Sequence, residues 1–280
     1  MGAPLREMAE IAGRAGFGGV TVTPLMYLEA RRAGATDREI RGWLDDAGTR
    51  VTMLDPLMSV LPGSPEPAEV GRTFRALFEL TEQQCFDAAE ALEVDRVNVA
   101  HYLARPTTRA RLADSLGPLC DRAASRGIRI LLEFMPEGSV PDLAAATDLV
   151  RDVARSNLSI MLDTWHFYRT GGTPQDLQGS RKGEIGGLQL SDATADIVGE
   201  PNAGLNRRLL PGRGAVPLTE IVGWVLASYH DPFVGVEVFN AELASGSPQD
   251  AAMAAAASIA DLYQERSSGS TRSAKRFRSP

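Results

Sequence analysis

Residues 129–167 read RILLEFMPEGSVPDLAAATDLVRDVARSNLSIMLDTWHF. The stretch opens on a short apolar run, Arg129 to Phe134, and closes on a second, Leu158 to Asp163, with an amphipathic segment from Pro141 to Ala154 between them. That order marks a parallel βαβ unit, because neighbouring parallel strands need a crossover long enough to form a helix. The same alternation continues outward in both directions. Upstream strands are expected at Gly19 to Thr23, Val51 to Leu54 and Arg96 to Ala100, and downstream ones at Gly187 to Ser191 and Val234 to Phe239, which makes seven. Helices are expected at Thr36 to Ala47, where Thr36 and Glu39 have capping-box spacing before a stop at Gly48, at Pro67 to Leu92, and at Thr107 to Arg126 before Gly127. Pro217 to Ser228 and Pro248 to Arg266 begin, like Pro141 to Ala154, at a proline, which the first helical turn tolerates.

Seven parallel strands suit either an open doubly wound sheet or a barrel one strand short, and the polar residues discriminate between them. Glu133 and Asp163 end their runs, Gln189 interrupts Gly-Leu-Gln-Leu, and Glu237 interrupts Gly-Val-Glu-Val. A barrel gathers the C-terminal ends of its strands at one mouth, where functional side chains collect. No GxGxxG fingerprint follows any of the strands, as a dinucleotide-binding sheet would require. The expected fold is therefore α/β, a TIM (β/α)8-type barrel over residues 1–265. No strand precedes the helix expected from Leu5, so an eighth strand is missing, or the barrel closes differently, or the start is truncated, and a gap or a substitute is expected where a regular first strand would lie.

Composition narrows the function classes. With 44% apolar and 23% charged residues in 280, the chain is globular, and no apolar run approaches the ~20 residues of a membrane span. Without an export signal at the N-terminus, a cytoplasmic location is expected. The net charge of −7 conceals a basic segment at 266–280, expected to be disordered, so that residues 1–265 carry 24 basic against 36 acidic side chains. Such an acidic body excludes a duplex-binding surface, and neither a nucleic-acid nor a membrane partner is expected. Of the two lysines, Lys182 lies in a polar turn and Lys275 in the tail, leaving no good Schiff-base lysine and no phosphate loop. Cys85 and Cys120 form neither a CxxC pair nor a disulfide framework and are expected in the core.

A charged group inside a buried strand is costly unless it is paired or metal-bound, and here four consecutive strands each carry an oxygen-bearing side chain. Glu133, Asp163, Gln189 and Glu237 make a hard, oxygen-rich set suited to one divalent ion, Mn2+, Co2+, Mg2+ or Zn2+. His166, three residues past Asp163, is a candidate to meet a substrate oxygen or shuttle a proton, and His101 is a weaker candidate of the same kind. His230 reads as a surface turn. Arg207 and Arg208 precede a Pro-Gly turn in RRLLPGRG, and Arg208 is the candidate substrate-binding arginine.

Taken together and in this spacing, LLEFMP, LDTWHF, LQLSD, RRLLPGRG and GVEVF resemble the sugar phosphate isomerase/epimerase family, the xylose isomerase-like TIM barrels. The resemblance spans roughly Leu5 to Tyr263. It implies one divalent metal on Glu133, Asp163, Gln189 and Glu237, with His166 and Arg208 as the family's site histidine and arginine. Glu133 and Glu237 are then the base and acid that move a proton next to a metal-polarised carbonyl, through an enediolate. The expected activity is isomerisation or epimerisation of a small sugar-like keto or polyol substrate. The alternatives are dehydration of a cyclic keto-polyol by the same metal, and a binding barrel without catalysis. Two residues depart from the pattern: Gln189 stands where ketose 3-epimerases carry His and is similar to branches of the 3-dehydroshikimate dehydratase type, and Arg213 stands where Glu is frequent. A related nuclease branch needs several metals and more histidines than the three present. Specificity is expected from loops 55–66, 101–106, 135–140 and 164–182. Oligomeric state is open, the edge left by a missing strand being a reason for a homo-oligomer.

Overall fold

A computed structural model describes residues 3–200, 204, 206–228 and 231–275. Seven strands, β1 (Val20–Val22), β2 (Val51–Leu57), β3 (Arg96–Ala100), β4 (Arg129–Glu133), β5 (Leu158–Asp163), β6 (Ile185–Leu190) and β7 (Phe233–Val236), pair in sequence order and all in parallel. Around them run α1 (Leu5–Arg14), α2 (Pro24–Arg32), α3 (Asp37–Asp46), α4 (Arg72–Phe78), α5 (Glu82–Ala91), α6 (Arg109–Ala124), α7 (Leu143–Val153), α8 (Thr164–Arg169), α9 (Leu218–Ser228), α10 (Ala241–Ser245) and α11 (Pro248–Lys275). Consecutive order with helical crossovers curls the sheet into a nearly closed barrel. Closure fails between β7 and β1. There a cavity of about 620 Å³ opens, lined by Phe17 and Val20 on one side, Phe233 and Val234 on the other, and Ala252 and Ile259 of α11. The missing first strand is thus a gap in the wall.

The strands are apolar on both faces because both faces are buried. Val97, Val99, Ile130, Leu132, Ile160 and Leu162 point outward into the main core beneath the helices. Met53, Leu131, Met161 and Phe233 point inward and form a separate cluster that fills the barrel axis. Gly187 makes room for that filling, since a side chain there would stand 2.8 Å from the Met161 sulfur. Two residues further along each strand, the same inward face carries Asp55, Glu133, Asp163 and Gly235, and Glu237 follows Gly235 by two more. The period-two pattern therefore stacks a polar layer directly on an apolar floor.

Several boundaries differ from the sequence expectation. The expected helix from Pro67 to Leu92 is broken: Thr81 and Gln84 form a capping box that starts α5 afresh after α4. β2 runs three residues past Leu54, through Asp55 and a cis Pro56. The 164–182 loop begins as helix α8, capped by Asp163. α11 continues beyond Arg266, where the tail was expected to begin, as far as Lys275; no proline interrupts that segment. Residues 276–280 and His230 lie outside the described residues.

Candidate metal centre at the barrel mouth

Each expected ligand sits where its strand reaches the mouth. Glu133 and Asp163 are the last residues of β4 and β5, Gln189 is the penultimate residue of β6, and Glu237 follows β7 directly, its N–H extending the ladder to Leu190 O at 3.0 Å. Glu133, Asp163 and Gln189 are buried, and the Glu237 side chain is about a quarter exposed. Glu133, Asp163 and His166 each offer a ligand atom within 4.8 Å of the others, and His166 Nε2 is 3.8 Å from Glu133 Oε1.

Asp163 has two tasks. Its Oδ1 accepts the N–H groups of Trp165 and His166 at 2.7 and 3.0 Å, which caps α8 and brings the His166 ring over the mouth. Its Oδ2 accepts from Arg208 Nη1 at 2.5 Å, and the same nitrogen donates to Glu237 Oε2 at 2.9 Å. Arg208 is buried, its guanidinium over the Trp165 and Phe239 rings, and Asn240 Nδ2 holds its backbone carbonyl at 2.9 Å. The turn that delivers it hangs on buried Asp192, which accepts the N–H groups of Ala193, Gly214 and Val216.

Two further side chains of the layer lie outside the expected set. Asp55 of β2 and Asn98 of β3 are buried beside it: Asn98 Nδ2 donates to Asp55 Oδ1 at 2.7 Å and to Glu133 Oε2 at 2.6 Å, and Gln189 Nε2 donates to Asp55 Oδ2 at 2.9 Å. An amide inside the apolar run Val-Asn-Val-Ala was the signal for Asn98, of the kind that singled out Gln189; Asp55 was hidden by the adjoining proline, which reads as a strand end.

Four carboxylates, those of Asp55, Glu133, Asp163 and Glu237, gather around the buried guanidinium of Arg208. Burial, followed by the charges of Asp55, Glu237 and Asp163, raises the Glu133 carboxyl well above the usual range. Burial pushes Glu237 up to about 8 despite Arg208. Asp163 is held low, Arg208 overcoming the cost of its burial. Burial, reinforced by Arg208 against the pull of Asp163, brings His166 down to about 4, so its ring is neutral at pH 7 and can accept at one nitrogen. Gln189 Oε1, Asn98 Oδ1 and His166 Nδ1 are buried without a hydrogen-bond partner among the described residues. Crowded carboxylates and unpartnered buried acceptors fit a divalent cation, which supplies the positive charge the protein lacks.

The remaining candidates are placed elsewhere. His101 is buried, but its Nε2 lies 2.9 Å from Pro62 O and its Nδ1 accepts the Ser139 N–H at 3.0 Å. With both nitrogens committed to backbone, it ties two mouth loops together and has none left for a substrate, contrary to the expectation from its position. Arg207 pairs with Asp196 at the surface, and Arg213 is exposed near Asp261.

The barrel one strand short and its carboxylate-rich mouth define a family, which comparison confirms: a family profile described as xylose isomerase-like TIM barrel matches residues 9–262, and the chain belongs to it. A 3-dehydroshikimate dehydratase of Pseudomonas aeruginosa is 30% identical over 241 residues, 84% of this chain and 36% of that protein. An inosose isomerase of Halalkalibacterium halodurans is 28% identical over 138 residues, 49% of this chain and 48% of that one. The chain thus spans between a third and a half of the length of these two relatives. Among solved structures, an IolI protein with a bound zinc atom superposes with a TM-score of 0.80 at 18% identity, over 94% of both chains. No described helix is long and apolar enough to cross a membrane.

Proposed function

We propose that this chain is a divalent-metal-dependent isomerase or epimerase of a small sugar-like keto or polyol substrate. The observation that carries it is the polar layer itself: Glu133, Asp163 and His166 converge within 4.8 Å, and Gln189 presents a buried oxygen with no partner among the described residues. Glu133, Asp163, Gln189 and Glu237 would hold the ion, which when bound polarises a substrate carbonyl and offsets the negative charge of an enolised substrate. Glu133 and Glu237 lie on different strands, one from β4 and one after β7, and so can reach opposite faces of a substrate. One removes the proton next to the carbonyl and the other returns it. His166, neutral at pH 7, shares a hydrogen with a substrate hydroxyl. Arg208 steers a substrate oxygen while it restrains Asp163 and Glu237. The Met53, Leu131, Met161 and Phe233 floor excludes water from below.

A second reading, dehydration of a cyclic keto-polyol, is favoured by the match to a dehydratase over 84% of the chain. Its first step is the same proton removal; a β-hydroxyl then leaves, protonated by the acid partner. The two readings separate in a screen of keto-polyols in D2O with one divalent ion added. Isomerisation or epimerisation gives deuterium in an isomeric product. Dehydration gives a conjugated enone absorbance. An ion-loaded protein that gives neither signal contradicts both.

A further inference from the structure

A glutamine is an ambiguous ligand, because its oxygen and nitrogen ends have nearly the same shape and only the oxygen can bind a cation. Something must decide which end faces the ion. Gln189 Nε2 donates to Asp55 Oδ2 at 2.9 Å, while Gln189 Oε1 is buried with no partner among the described residues. Asp55 Oδ1 accepts from Asn98 Nδ2 at 2.7 Å, so each oxygen of this carboxylate receives an N–H and neither offers one. Asn98 spends its second N–H on Glu133 Oε2 at 2.6 Å. Asp55 is delivered here by the extension of β2 and stacks over Met53, on the inner face of the barrel. It is not one of the converging Glu133, Asp163 and His166 ligands.

We propose that Asp55 is a positioning residue that fixes the amide of Gln189 with its oxygen toward the ion, and that it also aims Glu133 through Asn98. This rests on the metal-centre reading above. A carboxylate suits the task because it presents only acceptors to the two amides flanking it. An asparagine at 55 has one acceptor and one donor: it either sets its N–H against Asn98, releasing Glu133, or sets it against Gln189, turning the Gln189 nitrogen toward the ion. Outer hydrogen-bond partners of metal ligands commonly change affinity 10- to 100-fold when altered.

The test is a double-mutant cycle on Mn2+ affinity, read by electron paramagnetic resonance of free Mn2+, with circular dichroism as a check on folding. Asp55→Asn is expected to weaken binding at least tenfold in the native sequence, and less than threefold in a Gln189→Ala background, where the amide to be oriented is gone. Equal losses in both backgrounds would mean that Asp55 acts through its charge or through packing, and would overturn the proposal. Should Asp55→Asn fail to fold, the Mn2+-loaded native crystal decides: Gln189 Nε2 on Asp55 and Oε1 on the ion supports it, whereas Asp55 itself on the ion, or a reversed amide, refutes it. A native chain that takes up no Mn2+ removes the metal reading as well, an outcome distinct from both.

Discussion

Single side chains carry most of what is chemical here, and the sequence displays them unevenly. Glu133, Asp163 and Gln189 were legible because a polar residue near the end of an apolar strand is costly to bury unless something pairs with it or binds to it. Asp55 and Asn98 escaped because one abuts a proline and the other is an uncharged residue in mid-strand. His101 was misjudged for a different reason: residues past a strand end also serve to pin loops, and only the positions of Pro62 O and the Ser139 N–H reveal that both ring nitrogens are taken. The two cysteines allow a sharper forecast. Both are fully buried, and burial pushes each thiol up from 9.0 to about 12. Native protein at pH 8 should therefore give no fast reaction with a thiol reagent and two equivalents once unfolded. A raised folded-state pKa also means that the unfolded chain loses these protons first. Stability contributed by the neutral thiols is full below pH 9 and falls above it, by about 1.4 kcal/mol per pH unit for each. An alkaline denaturation series on a double Cys→Ala variant, with its slope reduced, checks the sign.

At the scale of elements, the strands were the easy part. Their period-two alternation puts apolar residues toward the helices and, on the inner face, a floor followed by a polar layer, which the order of apolar runs already implies. Helices were harder where no glycine or proline marks the break: the restart at Thr81 rests on a capping box inside an otherwise continuous segment. The segment that delivers Arg208 was harder still. It belongs to no strand or helix, and it is held by Asp192, which stands directly after LQLS and carries no periodic signal. Asp192→Ala leaves three N–H groups without their acceptor. The expected cost is about 3 kcal/mol in urea unfolding, together with impaired substrate binding as the turn that follows Arg208 loosens at Gly214 and Val216. Asp192→Ala with unchanged stability would mean that the Arg208 segment supports itself.

For the molecule as a whole, the seven strands follow from the seven apolar runs, and the sequence order of the sheet follows from the crossovers. What the sequence leaves open is the balance of charge at the mouth. Three buried carboxylates, Asp55, Glu133 and Asp163, with the partly exposed Glu237, gathered around Arg208 make an arrangement that a divalent cation completes, and that is the central claim. It predicts stabilisation by added metal, of about 2.7 kcal/mol when the free ion is at a hundred times its dissociation constant. The most direct measurement is elemental analysis of the chain purified without chelator and again after reloading, beside an Asp163→Ala control checked for folding. The expected result is about one divalent ion per chain in the native protein and none in the control. A native chain that neither retains nor rebinds a divalent ion, while keeping its fold, would contradict the account.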